Sequence, residues 1–306
     1  MMKSVPIARI VASDRSAMEH FLSAGAPYPC ILDGATRDWP SRTNWTLNSF
    51  SERFGNTLGR AGFQFGASRG GRAMKLSNFI AHSDKPLAEV PGFWVDRRGL
   101  PLDDTPDYDE SKVWSFMWKP FLSHPELFEE IAPFPVPLAS LVTSSASPGY
   151  QLLERLTKFD FHSLYITRAG TITPLHRDHD HSFGCLVQFD GRKTVALLHP
   201  DLLPGEHMSD FSPEAPDFAA FPDMQSATAH VVELQPGDML IIPPEWWHYT
   251  RALTPSLTMS HNFFNPTNAA QFLSSVLDQI DDPEALALVH QIFSEHLPTV
   301  PEQTSA

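Results

Sequence analysis

Short apolar runs, broken by proline and glycine, dominate the middle of the chain and carry the period-2 alternation of strands. The segment F-H-S-L-Y-I, Phe161 to Ile166, alternates and reads as a core strand, with Gly170 in the turn that follows. Lys193 to Leu198, Met239 to Ile242 and Ser256 to Phe264 read as further strands, and Pro243-Pro244 stops the second of these. Gln235-Pro236-Gly237-Asp238 suits a tight turn, with Pro at the second position and Gly at the third. Pro29 to Leu32 and the aromatic stretch Trp114 to Trp118 are two more strand signals. Toward both ends the period lengthens to that of helices. Asp14 or Ser16 is placed to cap a helix over Ala17 to Ser23, and Thr46 one over Leu47 to Phe54. Lys75 to His82, Pro125 to Ile131, Ala269 to Ile280 and Pro283 to His296 are also predicted helical.

Many short strands with Pro/Gly turns predict a double-sheet jelly roll, mainly β with flanking helices. The domain expected is residues 1–265, with an N-terminal α/β lead-in and a barrel core over about 115–265; residues 266–306 form a C-terminal helical extension. Two polar stretches interrupt the pattern. Residues 97–112 are rich in Arg and Asp and read as an exposed loop. Leu202 to Val231 is too long for an ordinary connection, yet its Phe211, Phe218 and Phe221 need a surface to pack on.

The candidate chemistry lies between these strands. His176 and Asp178 are two apart, so on a strand they share a face; Pro174 argues against a helix through them. His248 follows the Trp246-Trp247 pair far downstream and must meet them through folding. Two imidazoles and one carboxylate leave several coordination positions open, which favours Fe(II) and oxygen chemistry over redox-inert zinc. Asp180 has the parity of the ligands and is expected to line the cavity. Lys193 sits on a strand with Val195 and Leu197 on its side, where an unpaired ammonium is costly; an internal Asp or Glu, or a bound carboxylate, would resolve this.

Composition narrows the setting. Hydrophobic content of 42% is sufficient for a core. The two cysteines, Cys30 and Cys185, imply no disulfide framework and point to a reducing compartment. The first residues lack the apolar run of a signal peptide, and no run approaches the roughly 20 apolar residues of a membrane span. The expected location is cytoplasmic. A net charge of −14 argues against a nucleic-acid partner.

Five elements together carry a family likeness: T-x-x-H-x-D (Thr173 to Asp178), G-R-K (Gly191 to Lys193), P-G-D (Pro236 to Asp238), I-P-P-x-W-W-H (Ile242 to His248) and H-N-F-F (His261 to Phe264). They resemble the JmjC/cupin-type Fe(II)- and 2-oxoglutarate-dependent oxygenases. The nearer likeness is to the bacterial cupin-like group and to the asparaginyl hydroxylase that modifies hypoxia-inducible factor. The resemblance implies a double-stranded β-helix with His176, Asp178 and His248 as metal ligands and as the catalytic centre. It implies that Lys193 and Thr173 hold the distal carboxylate of 2-oxoglutarate and that Asn262 contacts the cosubstrate near the metal. Ser182 stands where relatives often carry asparagine, so its contact is shorter or water-bridged. The family's cosubstrate-holding tyrosine is replaced around Trp114, Ser115 and Phe116, and Tyr165 or Tyr150 is the phenol that would serve instead.

The implied activity is hydroxylation of an unactivated carbon of a protein side chain, a peptide or an amino-acid-like small molecule, with release of succinate and carbon dioxide. N-methyl demethylation by the same core is the alternative; a non-enzymatic cupin-like binding module is disfavoured by the intact triad. The resemblance also implies a homodimer through Phe272, Val276, Leu286 and Phe293, and a segment Leu202 to Val231 that crosses the barrel mouth and forms the substrate entrance.

Overall fold

The computed structural model describes residues 2–62, 70–96, 98–104, 115–121, 123–132, 162–178, 181–202 and 208–296. The lead-in runs β1 (Lys3–Pro6), β2 (Ala8–Val11), α1 (Arg15–Ser23), β3 (Cys30–Asp33), α2 (Ser41–Asn44), α3 (Leu47–Phe54), β4 (Leu58–Gly62), β5 (Gly70–Lys75), α4 (Leu76–Ala81) and β6 (Phe93–Asp96). Next come β7 (Ser115–Trp118), α5 (Leu127–Glu130), β8 (His162–Thr167), β9 (Ile172–His176), β10 (Phe183–Asp190) and β11 (Lys193–Leu198). The chain then forms β12 (Thr228–Leu234), β13 (Met239–Ile242), β14 (Trp247–Ala252), β15 (Ser256–Phe263), α6 (Ala269–Leu277) and α7 (Pro283–His296).

Local chemistry explains the boundaries. Asp14 caps α1, its Oδ1 accepting from the Ala17 amide at 3.0 Å. Thr46 and Ser49 form a reciprocal capping box at the start of α3. The turn into β13 has the geometry that its Pro-Gly pair requires: Gly237 sits at φ +98° and the Asp238 amide donates to Gln235 O at 2.9 Å.

Two sheets face each other. The smaller has the order β1-β12-β11-β14-β9, and the larger β2-β3-β13-β10-β15-β8-β7-β4-β5-β6. This is the mainly β, double-stranded β-helix architecture expected, with the larger sheet extended by β2, β4, β5 and β6, strands that the hydrophobic pattern did not announce. The apolar residues divide into three layers. Between the sheets lie Ile31, Val195, Leu197, Leu240, Ile242 and Trp246. Behind the larger sheet, Phe116, Leu164, Cys185, Val187 and Met259 pack against helices that contribute Phe21, Phe50 and Phe79.

The third layer corrects one expectation. Met208, Phe211 and Met224 pack with Leu175, Ala196, Leu198, Trp247 and Tyr249. These strand residues alternate with His176, Val195, Leu197 and His248, so they point away from the barrel interior. Tyr249 donates to Glu214 at 3.0 Å, and Arg251 pairs with the same carboxylate at 2.6 Å. The described part of the 202–231 segment therefore covers the outer face of the smaller sheet, where its phenylalanines find apolar cover. It does not cross the mouth, and Glu214 is spent on a structural contact.

The C-terminal helices bear on the dimer expectation. Phe272 is fully buried and stacks on Phe264 of its own chain, ring centroids 4.5 Å apart, and the partly buried Leu286 packs on the same core. These two residues serve intramolecular packing; the side chains of Val276 and Phe293 lie outside the described residues. Phe272→Ala is expected to destabilise the fold by about 3–5 kcal/mol, the cost of an emptied aromatic site, measured as a lowered urea midpoint with an unchanged slope.

Candidate metal centre

The centre is assembled by register. On the smaller sheet, His248 of β14 pairs directly with His176 of β9, and Thr250 pairs with Thr173. One residue lies between the two on β14 and two lie between their partners on β9, so β9 carries a bulge. Pro174, with no amide hydrogen to place, lies within it. The bulge resets the parity of β9 and aims Thr173 and His176 at the same cavity, which strict alternation would not do. On the other side of β14, Leu197 pairs with His248 and Lys193 with Ala252, so Lys193 enters the same interior several residues deeper.

The imidazole centroids of His176 and His248 lie 4.0 Å apart. Asp178 Oδ1 is 3.9 Å from His176 Nε2 and 3.6 Å from His248 Nε2. The three ligand-type atoms fall within 4.8 Å of one another, in reach of one ion. Second contacts fix the tautomers: His176 Nδ1 lies 2.8 Å from Pro174 O and His248 Nδ1 lies 3.1 Å from Trp246 O. A carbonyl only accepts, so each Nδ1 carries the proton and each Nε2 presents its lone pair toward Asp178. Burial, then the neighbouring His248, lowers the His176 pKa to about 4, with Asp178 opposing. Neutral imidazoles beside a carboxylate are the state that a divalent cation requires.

Gly184 makes room for the carboxylate. A Cβ there would stand 3.0 Å from Asp178 Oδ2. Gly184→Ala is expected to push the Asp178 carboxylate aside by a few tenths of an ångström and so weaken metal affinity by about tenfold, the low end of what disturbing a ligand's orientation costs, while thermal stability stays near wild type. Titration of Mn(II) or Fe(II) followed by calorimetry checks this.

Below the triad the cavity is lined by Tyr165, Thr167, Thr173, Lys193, Thr250, Thr258 and Ser260, with Leu186 and Ile242 as apolar wall. Lys193 is buried, and burial lowers its ammonium pKa to about 7. Among the described residues no carboxylate pairs with it, so the internal ion pair that would have explained it is missing there. Thr258 donates to Gln188 at 2.8 Å, which fixes one of the hydroxyl-bearing side chains.

The expected residues are thus only partly brought together. His176, Asp178, His248, Thr173, Lys193 and Tyr165 meet in one cavity. Asn262 stands on the cavity side of β15, paired with Gly184 and 3.3 Å from Ser260 Oγ, but does not line the cavity. Ser182 is buried just before β10 and is also outside the lining. Phe116 points into the core behind the larger sheet, whereas Tyr165 on the neighbouring β8 lines the cavity. Tyr150, Trp114 and Asp180 lie outside the described residues. Thr250, Thr258 and Ser260 were missed, although the alternation of Ser256, Thr258, Ser260 and Asn262 along β15 already marks a polar inward face.

Residues 119–270 match the family model of the cupin-like domain. The chain carries a cupin-like domain over these residues. Among curated relatives, this cupin-like chain is 29% identical over 252 residues to HSPB1-associated protein 1 of Rattus norvegicus, covering 76% of the chain and 48% of that protein. It is 38% identical over 100 residues to lysine-specific demethylase 8 of Danio rerio, 30% of the chain and 24% of that protein. It is 35% identical over 112 residues to lysine-specific demethylase JMJ30 of Arabidopsis thaliana, 33% and 25% respectively. The chain spans about half the length of the HSPB1-associated proteins it matches. Among the described residues no helix is long and apolar enough to cross a membrane.

Proposed function

We propose that the chain is an Fe(II)- and 2-oxoglutarate-dependent oxygenase that hydroxylates an unactivated carbon of a protein side chain, a peptide or an amino-acid-like small molecule. The observation that carries this reading is one cavity holding both a two-histidine, one-carboxylate cluster and a buried lysine that no described carboxylate neutralises. The first suits a redox-active divalent iron and leaves positions open. The second suits a dicarboxylate whose far end reaches the cavity floor.

When bound, iron and 2-oxoglutarate would supply the activation of dioxygen, with succinate and carbon dioxide as coproducts. The chain supplies the rest. His176, Asp178 and His248 would hold the metal on one face. Lys193 would donate to the distal carboxylate, with Thr173, Thr250 and Tyr165 as neighbouring hydroxyl donors. Leu186 and Ile242 keep bulk water from the floor. A cosubstrate anchored at one end in this way presents its other end to the metal in a single orientation.

N-methyl demethylation is the second reading, favoured by the relatives named as lysine-specific demethylases. The same core serves both, because hydroxylation of an N-methyl carbon is followed by loss of formaldehyde. The test is incubation of the chain with Fe(II), 2-oxoglutarate and a cell extract under oxygen. Succinate formation with a product heavier by one oxygen supports the hydroxylase, and formaldehyde release supports demethylation. Absence of metal-dependent succinate under every condition overturns both.

A further inference from the structure

The register of β9 with β14 ends at the His176–His248 pair, so Asp178 lies beyond the last paired residue of the sheet. Its orientation depends on what holds the chain to either side of it, and one residue grips both sides. Arg177 Nη1 donates to Glu245 Oε2 at 3.1 Å, and His181 Nδ1 donates to Glu245 Oε1 at 2.8 Å. Glu245 belongs to the segment that leads into β14, shortly before His248. Its single carboxylate therefore ties both flanks of Asp178 to the strand that carries another ligand. Two further contacts hold the same flanks. The Arg177 guanidinium lies over the Trp247 ring, 4.6 Å from its centroid. Asn268, buried at the start of α6, donates through Nδ2 to the His181 carbonyl at 2.7 Å.

Backbone conformation singles out the same contact. Among the described residues three non-glycines occupy the left-handed region: Ala26, His181 and Glu245, the last two at φ +50° and +66°. Both partners of one hydrogen bond thus hold a conformation that a β-carbon disfavours and that persists only where the surroundings over-determine it. Stability does not explain the arrangement. Arg177 and Glu245 are about a third exposed and His181 about half, and ion pairs so exposed contribute little to folding. We propose that Glu245 is a positioning residue for the metal centre, holding Asp178 at the distance from His176 and His248 that one divalent ion needs. This rests on the metal-binding part of the reading above. It gives a role to a carboxylate that is neither one of the three ligand-type groups nor part of the cavity lining.

Three variants of the full chain test it. Calorimetric titration with Mn(II) at about pH 8, where an ordinary imidazole is neutral, reads affinity. The visible absorption of the Co(II) form reads ligand geometry, and the urea midpoint reads the fold. Glu245→Gln keeps both contacts without the charge, its carbonyl accepting from Arg177 and its amide donating to His181 Nδ1, and should stay near wild type throughout. Glu245→Gly removes the contacts and suits the left-handed backbone. Glu245→Asn tolerates that backbone too but is one methylene too short to reach both partners. Glu245→Gly and Glu245→Asn are expected to bind Mn(II) about tenfold more weakly, the low end for an outer partner of a ligand, with an altered Co(II) spectrum and an undiminished urea midpoint. Wild-type affinity in both overturns the proposal and leaves the segment to Asn268. Weakening in Glu245→Gly alone assigns the effect to backbone freedom, equal weakening in all three assigns it to charge, and weakening matched by a fallen urea midpoint assigns it to general stability; each of these overturns it. A wild type with no saturable Mn(II) site removes the metal centre itself, and the clamp with it.

Discussion

His176→Ala is expected to abolish metal-dependent succinate formation. The substitution leaves one imidazole and one carboxylate, and the wild-type site offers a metal three protein atoms within 4.8 Å. Loss of an outer partner of a ligand costs roughly 10- to 100-fold, so loss of a ligand itself is expected to exceed that range. The fold should survive, because His176 ends β9 and its ring faces the cavity, not the apolar layer that Leu175 joins. Calorimetric titration with Mn(II) or Fe(II) should show no saturable site, and the urea midpoint should stay near wild type. Undiminished 2-oxoglutarate turnover in this variant would remove His176 from the centre. His248→Ala is expected to match it in turnover but with a larger loss of stability, since His248 is buried within the sheet and pairs with both Leu197 and His176.

The contrast between these two histidines shows what the sequence could and could not disclose. The strand Met239–Ile242, the Pro-Gly turn before it and the strand Lys193–Leu198 were legible residue for residue, because each is set by local chemistry: a glycine with positive φ, a proline stop, a run of apolar side chains. The triad was legible as a motif, and the fold brings its three ligand-type atoms within 4.8 Å of one another. The bulge in β9 was not, since only the partner strand's register makes Thr173 and His176 face the same way. The lead-in strands β4, β5 and β6 were also silent. Gly59, Gly62, Gly70 and Gly71 leave β4 and β5 little hydrophobic alternation, β6 is only four residues long, and the strand character of all three comes from pairing with one another and with β7. The 202–231 segment was misplaced for a related reason. Sequence showed that its phenylalanines needed an apolar surface, but not that the outer side of β9, β11, β12 and β14 offers one.

Lys193 gives the second large effect, and it acts on stability and on binding in opposite senses. The buried ammonium has its pKa lowered from the ordinary 10.5 to about 7 by desolvation. A lysine lowered in the folded state binds fewer protons there than in the unfolded chain between pH 7 and 10.5. Stability of the empty protein should therefore rise with pH across that window, and the penalty is fully present below about pH 7. Lys193→Met, which keeps the stem and removes the charge, is expected to stabilise the empty protein at pH 7 or below by ~1–4 kcal/mol, the range seen when buried charges are replaced by apolar groups. The same variant should raise the 2-oxoglutarate KM about ten- to a hundredfold, since a charge-assisted hydrogen bond to a carboxylate contributes roughly 1.5–3 kcal/mol. A bound dicarboxylate favours the ammonium form, so binding above pH 7 must take up a proton, and affinity should decline as pH rises. Calorimetry at pH 8 in buffers of different ionisation enthalpy reads that proton directly. Wild type should show uptake and Lys193→Met none. A more stable variant with an unchanged KM and no difference in proton uptake would show that Lys193 does not hold the cosubstrate.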